Sequence, residues 1–468
     1  MISVNTLNIS QPEVKLLLTD SKDSIDSISN TSTGGIKELL ISLNHSRINS
    51  ISIEKGTLIV ESELGGVKRR VGNAENFHLK VQNFELDSSQ HDHPFKVEEV
   101  KIGFENAEFD LSPTYYMKLA QFSFSYQDST LYAENFQLIP KLTVKQFAER
   151  YPYKKNRMDV NISSLICSAV NFDKLLFQEK IEIGKVDVLD GNAHISKDHT
   201  KAWPSRKRFS NPIELLQNAP IATVIQELNI KNTTLISEQI MPGNEANSIL
   251  AINDMNVSLY NLANDSAALI ANSVMRLELN LKLMGTAFLS VNGTFNLIDE
   301  HQNYALNARM KSTPLQLFNP LLKSAIHVEI ASGQLNEALI ALKGNKYQIT
   351  GTTELNYSNA TIAFEQKDAG FLSKLKKNMI SGLANTLLKT NNIKGKSNYK
   401  IGQVYYPYDH SVPFVRSIWL AIQIGIIDTM IPFDINRSSS SKTTGKRSAK
   451  STQTSVVSTK EKNVQIEV

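Results

Sequence analysis

Leu306-Asn-Ala-Arg-Met310, Pro314-Leu-Gln-Leu-Phe-Asn-Pro-Leu-Leu322, Ile326-His-Val-Glu-Ile330, Ala338-Leu-Ile-Ala-Leu342, Tyr347-Gln-Ile-Thr-Gly351 and Ala360-Thr-Ile-Ala-Phe364 follow one another along the chain. Ile326, Val328 and Ile330 alternate with polar neighbours, and Ala338, Ile340 and Leu342 share a face in the same way. A period of two places successive side chains on opposite sides of a strand, so each set marks the covered face of a half-buried strand. Gly333 and Gly344-Asn345 supply the residue types that turns need. The stretch predicts an antiparallel meander with one apolar face.

The same grammar extends toward the N-terminus. Met275, Leu277, Leu279, Leu281 and Leu283 alternate with Arg276, Glu278, Asn280 and Lys282, the clearest one-faced strand in the sequence. Asn253–Leu262, Ala267–Lys282 and Thr286–Leu297 are predicted as three long strands suited to a wide twisted sheet with one wet face. A recurrent unit of strand, polar turn and strand is visible at Ile48–Val60, Ile183–Ile195 and Ile225–Ile236, with turns expected at Gly56 and Gly191. Looser copies lie at Val97–Phe109 and Phe77–Leu86. Units that cannot bury their own apolar faces must stack, which implies a repeated sheet. The fold class expected is mainly β: a long twisted antiparallel sheet of repeated strand units, folded lengthwise into a groove, with a few short helices and C-terminal amphipathic helices.

Short helices are predicted at Lys141–Arg150, where Pro152 follows, and at Pro212–Gln217, where Asn211 can cap and Pro212 occupies the first turn. Leu315–Leu322 reads as a similar short piece. After Phe364 the period changes. Phe371, Leu375, Met379, Leu383 and Leu387 recur every fourth residue beside Lys374, Lys376, Lys377 and Lys389, an amphipathic helix that either caps the sheet or lies on a membrane surface. Phe414–Pro432, which contains Trp419, has the length of a bilayer span. Arg416, Gln423 and Asp428 argue against that, so a buried or interfacial helix is expected. The expected divisions are a repeated β region over 1–305, a meander over 306–364, a helical region over 365–436 and a disordered tail over 437–468.

Composition narrows the function classes. The chain has 468 residues, 41% hydrophobic and 21% charged, with a formal charge of +4. Residues from Arg437 onward hold seven Lys or Arg and two Glu, so the rest is near −1 and a nucleic-acid-binding face is not expected. A single cysteine, Cys167, excludes an intramolecular disulfide and a thiolate zinc cluster. It sits among Ile166 and Val170 and reads as a core thiol. Met1 leads into a strand-like segment without a basic and apolar leader, which favours a chain that begins inside a longer protein.

Catalytic and metal motifs are missing from the sequence. There is no Gly-x-Gly-x-x-Gly, no P-loop and no His-Glu-x-x-His. His91 and His93 sit in a polar loop with Asp92, and His194 and His199 flank a repeat turn; neither pair reads as a metal site. Arg206-Lys-Arg208, after Trp203-Pro204, is a basic cluster suited to an anion or a lipid headgroup, with a solvated loop as the plainer reading. A non-enzymatic protein without a cofactor is expected.

The segments Ile51–Ile59, Val186–Ile195 and Leu228–Ile236 resemble the recurring strand units of AsmA-like proteins, and Pro314–Gly351, with Phe318-Asn-Pro320 before a strand, resembles the C-terminal part of that family. The likeness extends in character over 1–364 and is specific over 306–355. It implies a β-groove lined by apolar side chains in the Gram-negative envelope, at the periplasmic face of the inner membrane, with phospholipid or another acyl-chain ligand as partner alongside the membrane and other envelope proteins. The family usually carries an N-terminal membrane anchor, which is not seen in this sequence. Groove-lining candidates are Met275, Leu277, Leu279, Leu281, Leu283, Ile326, Val328, Ile330, Ala338, Ile340 and Leu342. Membrane-surface candidates are Phe371, Lys374, Leu375, Lys376, Lys377, Met379, Leu383, Leu387 and Trp419. The competing expectation is a structural or interaction protein supporting outer-membrane assembly, whose apolar face is a closed, self-filled core.

Overall fold

A computed structural model describes residues 2–19, 46–64, 67–86, 95–204, 208–240, 247–320, 328–364 and 389–431. The described residues lie in one compact unit, which contains the whole sheet. The predicted amphipathic helix with Phe371, Lys374, Leu375, Lys376, Lys377, Met379, Leu383 and Leu387 lies outside the described residues, as do Ile326, His91, His93, Arg206, Lys207 and the tail.

The strands are β1 (Ile2–Ser10), β2 (Glu13–Thr19), β3 (Ser46–Leu64), β4 (Val67–Leu86), β5 (Phe95–Lys96), β6 (Glu99–Ser112), β7 (Tyr115–Ser125), β8 (Thr130–Pro140), β9 (Asn156–Val170) and β10 (Ile181–Asp198). They continue as β11 (Thr223–Ile240), β12 (Ser248–Ala263), β13 (Val274–Leu283), β14 (Ala287–Asn296), β15 (Tyr304–Met310), β16 (Thr313–Pro314), β17 (Val328–Gly344), β18 (Gln348–Phe364) and β19 (Gly402–Pro407). All belong to one sheet in which most strands pair antiparallel with their neighbours in sequence. The sheet does not close into a barrel. β1 and β2 lie along one side of β3, and β19 follows β18 at the other margin.

The expected all-antiparallel pairing is interrupted twice. β1 and β2 run parallel to β3, and β10 runs parallel to β11. A parallel pair needs a crossover rather than a tight turn. Residues 199–222 provide it, carrying the helix Pro212–Gln217, whose Asn211 cap accepts from Glu214 N at 2.9 Å as the sequence predicts. Ala267–Ala271, expected as strand, is helical, because Asp265 accepts from Ala268 N at 3.0 Å and starts the helix Ser266–Ala271.

The turns expected at Gly56, Gly191 and Gly333 are corrected. β3, β10 and β17 run straight through these positions. Lys55, Asp190 and Asn232 adopt φ of 56°, 53° and 51°, each a single left-handed residue within a strand. One such residue makes a bulge and a bend, whereas a two-residue hairpin of the Asp-Gly kind needs positive φ at both central positions. Asn76, Asn106, Asn135 and Asp254 share the conformation. The series runs side by side across the sheet. Asn106 donates to Glu75 at 3.0 Å, Asn232 to Asp190 at 2.6 Å, and Asn232 N to Asn256 Oδ1 at 3.1 Å. Register shifts accompany the row in the β3–β4, β4–β6, β11–β12 and β12–β13 pairings, where bulges bend the strands and crease the sheet. Asn and Asp tolerate the left-handed region better than other side chains, which is why they recur there. Ala74 and Ala107, both buried beside the crease, leave room for the bend.

The helix Phe414–Met430 is buried along Ser417, Ala421, Gly425, Asp428 and Thr429. That spacing puts small side chains on one face, so the backbone comes close to β18 and β19. A Cβ placed on Gly402 would collide with the carbonyl oxygen of Gly425. Gly402→Ala is therefore expected to cost about 1–3 kcal/mol through overpacking against rigid backbone, measured by urea denaturation; an unchanged midpoint would contradict the close approach.

Candidate functional site: an apolar stripe across the sheet

Strand register assembles the predicted groove residues into rows. Ile9, Ile53, Leu79, Ile102, Phe124, Leu131 and Cys167 are successive cross-strand partners. The row continues through Val186, Leu228, Leu259, Leu277, Gly293, Leu306, Leu342, Gly351 and Val404. It contains no polar side chain. One pleat along, Phe104 pairs with Phe122 and Phe122 with Ala133, and the second row runs on through Leu165, Val188, Ile230, Val257, Leu279, Val291, Ala308 and Ile340. Two adjacent apolar rows make one continuous stripe.

The row between them faces the other way and is polar: Asp187, Asn229, Ser258, Glu278, Asn292 and Asn307 are consecutive partners. Asn229 donates to Asp187 at 3.0 Å, Ser258 to Asn229 at 2.8 Å, and Lys231 pairs with Asp187 at 3.2 Å. The sheet thus has one wet, hydrogen-bonded face and one apolar face, as the alternation in β13 predicts.

Cover on the apolar face differs along the stripe. Toward β19, Phe414, Ile418, Ala421 and Ile422 of the long helix pack on Leu306, Leu342, Ile349 and Val404, with Ile213 of the crossover helix in the same cluster. There the stripe is a closed core: Leu342 is 3% and Met275 3% exposed. In the first row Cys167 and Val186 are buried with Phe172 of the helix Phe172–Phe177, whereas the second row is less covered between β6 and β14. Phe104, Phe122, Leu165, Val188, Ile230, Val257, Leu279 and Val291 are all only half-buried.

The structure brings Met275, Leu277, Leu279, Leu281, Ala338, Ile340 and Leu342 onto this face. Val328 and Ile330 belong to the same strand as Ala338 rather than to a separate one, set apart by bulges between Ile330 and Glu337. Leu283 pairs with Ile252 and Ala287 at the end of β13. Cys167 sits in the first row, where burial pushes its thiol pKa up. Trp419 is exposed on the long helix, next to the more exposed Val415. Among the described residues no helix is long and apolar enough to cross a membrane, and no group of three or more His, Cys, Asp or Glu could hold a metal ion. His194 instead pairs with Glu238 at 3.0 Å.

Sequence reasoning named Trp203 only in passing and missed Lys154 and Lys197. Lys154 Nζ and Lys197 Nζ lie 5.4 and 5.1 Å from the Trp203 ring centroid, and Phe209 meets that ring edge-on at 5.1 Å. Alternation carries Lys197 onto the apolar face: Gly191 pairs with Ile162 and Ile162 with Phe136, which packs in the apolar cluster of Ala107 and Ala133. Ala193, Ile195 and Lys197 then follow two by two. The only usable signal was Trp203 beside basic residues distant in sequence, which strand pairing alone could connect.

No family model matches the chain, and no curated protein matches it either.

Proposed function

We propose that this protein binds acyl chains along the half-exposed apolar stripe between β6 and β14, and that it holds or conducts phospholipid without catalysing a reaction on it. The observation that carries this reading is the pair of adjacent apolar rows, polar on the opposite face, whose second row stays only half-buried from β6 to β14. A hydrophobic face of that extent is favourable to cover at about 25 cal/mol per Å², and a hydrocarbon chain covers it without needing specific polar partners. The AsmA-like resemblance supports the same reading, with placement in a Gram-negative cell envelope, a membrane as the source or sink of lipid, and envelope proteins as further partners.

A second reading, a structural or interaction protein with a self-filled core, is favoured by one observation: toward β19 the stripe is filled by the long helix and the crossover helix. Native mass spectrometry of the gently purified protein, followed by organic extraction, separates the two. Co-purified species with masses of phospholipids are expected. Protein of the bare chain mass, with nothing extractable, would favour the structural reading.

A further inference from the structure

One end of the sheet carries apolar side chains that the fold leaves uncovered. There β11, β13, β15 and β18 begin and β12, β14, β17 and β19 end, and the loops between them form a rim. Backbone hydrogen bonds lace neighbouring loops together. Asn264 N donates to Thr223 O at 3.0 Å, Leu297 N to Ser273 O at 2.8 Å, Lys346 N to His301 O at 3.0 Å and Tyr408 N to Tyr347 O at 2.8 Å. Asn264 Nδ2 adds a bond to Ile221 O at 3.1 Å. Two helices are drawn into the same rim. Gln217 Nε2 of the crossover helix donates to Leu297 O at 2.9 Å, and Phe414, at the start of the long helix, meets Tyr304 edge-on with centroids 5.3 Å apart. On this laced frame stand Ile270, 88% exposed, Val415, 77%, Leu215, 62%, and Ile298 and Tyr347, 59% each. Among the described residues one other large apolar side chain is as open, Val67 at 70%, and it lies at the opposite end of the sheet. Trp419, one helical turn on from Val415, is exposed as well. Leu269 and Leu216, next to Ile270 and Leu215, pack into the buried cluster, so the outward side chains are not needed to fill it.

We infer that this rim is a membrane-docking edge: Ile270, Ile298, Tyr347, Leu215 and Val415 enter the surface layer of a zwitterionic lipid bilayer while the sheet stays outside it. The tips come one to each loop or helix, with hydrogen-bonded polar residues between them. Asp265 accepts from Ala268 N at 3.0 Å, Asp299 from His301 N at 2.7 Å and Asn345 from Tyr347 N at 2.9 Å. Adjacent strands sit about 4.8 Å apart, so the tips are strung over roughly 30 Å between β11 and β18. A protein partner needs a compact, shape-matched patch with a continuous core. Liquid hydrocarbon accepts separate aliphatic side chains at any spacing, and the loop backbone beneath them already has its hydrogen bonds made. Tyr347 suits the boundary, where an amphipathic ring sits at headgroup depth. Lys346 Nζ, 5.2 Å from that ring's centroid, keeps its charge at the level of the phosphates. Asp299 and Glu300 follow Ile298 and oppose a strongly anionic surface, which is why a zwitterionic one is assigned. The choice of a bilayer rests on the acyl-chain reading, since lipid held on the stripe has to come from one; the exposure of the rim does not.

The test uses the full chain, extruded dioleoylphosphatidylcholine vesicles and flotation on a density gradient. The wild type is expected to float. Ile270→Ser with Ile298→Ser is expected to lower the vesicle partition coefficient by about tenfold or more, the effect of withdrawing two aliphatic side chains from hydrocarbon. Ile270→Leu with Ile298→Leu should keep it, and Val67→Ser, at the other end of the sheet, should leave it unchanged. Ile270→Cys in a Cys167→Ala background, carrying a nitrobenzoxadiazole label, is expected to brighten and shift to the blue when vesicles are added. Equal flotation of the wild type and the double Ser variant overturns the rim, and so does a wild type that stays at the bottom of the gradient. Phospholipid that still co-purifies in either case leaves the stripe reading standing. A wild type that floats through these isoleucines but yields no extractable lipid keeps the rim and overturns the stripe reading. Failure to float, together with sedimentation as a dimer that Ile270→Ser dissociates, assigns the rim to a second copy of the chain instead.

Discussion

Asp428→Ala is expected to destabilise the protein by about 3–5 kcal/mol, the cost of leaving one member of a buried ion pair without its partner. Lys400 Nζ lies 3.0 Å from Asp428 Oδ1, and the two side chains are 15% and 7% exposed. The other carboxylate oxygen accepts from the backbone N–H of Gln403 at 2.9 Å. Asp428 thus fastens the last turns of the long helix to the start of β19. The single Thr429 hydroxyl hydrogen is shared between Gly425 O at 2.9 Å and Thr353 O at 3.3 Å, and Thr429 and Thr353 are fully buried. Lys400→Met with Asp428→Leu, which removes both charges together, should recover much of the loss. Equilibrium urea denaturation of the three proteins measures it. A single-variant loss below about 1 kcal/mol, the range of an exposed pair, would mean that the helix is not held this way.

Leu279→Trp is expected to keep the melting temperature near that of the wild type and to deplete co-purified lipid. Leu279 sits in the second row between Val257 and Val291, half-buried and outside the cluster that the long helix covers. A larger ring there extends into open space and obstructs the stripe. Leu342→Trp supplies the contrast. Leu342 is 3% exposed under the long helix, so the same substitution overpacks a filled core and should cost about 1–3 kcal/mol. Equal destabilisation by both substitutions, with lipid unaffected by Leu279→Trp, would favour a core closed along its whole length.

These two leucines show how far the sequence could be read. Alternation in β13 identified the apolar face residue by residue, because a period of two has a single geometric meaning in a strand. It could not say which part of that face stays open, since cover depends on where a helix from the far end of the chain comes to rest. Asp428 was legible as a residue out of place in a bilayer, but its partner Lys400 was not. The crease was misread as a set of hairpins. Asp190-Gly191 is strong turn chemistry, yet only Asp190 takes the left-handed conformation, and neighbouring strands hold the chain straight on either side. The helix at Ser266–Ala271 had its signal in Asp265, which alternation over Ala267–Lys282 masked.

The parallel joint between β10 and β11 bears on how the protein is made. On either side of it, strands pair with their neighbours in sequence, so each new strand can add to the one before it as the chain emerges from the ribosome, at little loop-closure cost. At the joint the neighbours still pair, but in parallel, so a tight turn cannot connect them. β11 finds β10 only after residues 199–222 have crossed back along the sheet and set the crossover helix into the core with Ile213. Synthesis therefore yields two separately propagating halves, and their union at this seam is the step most exposed to delay, to misregistered pairing and to capture by a chaperone.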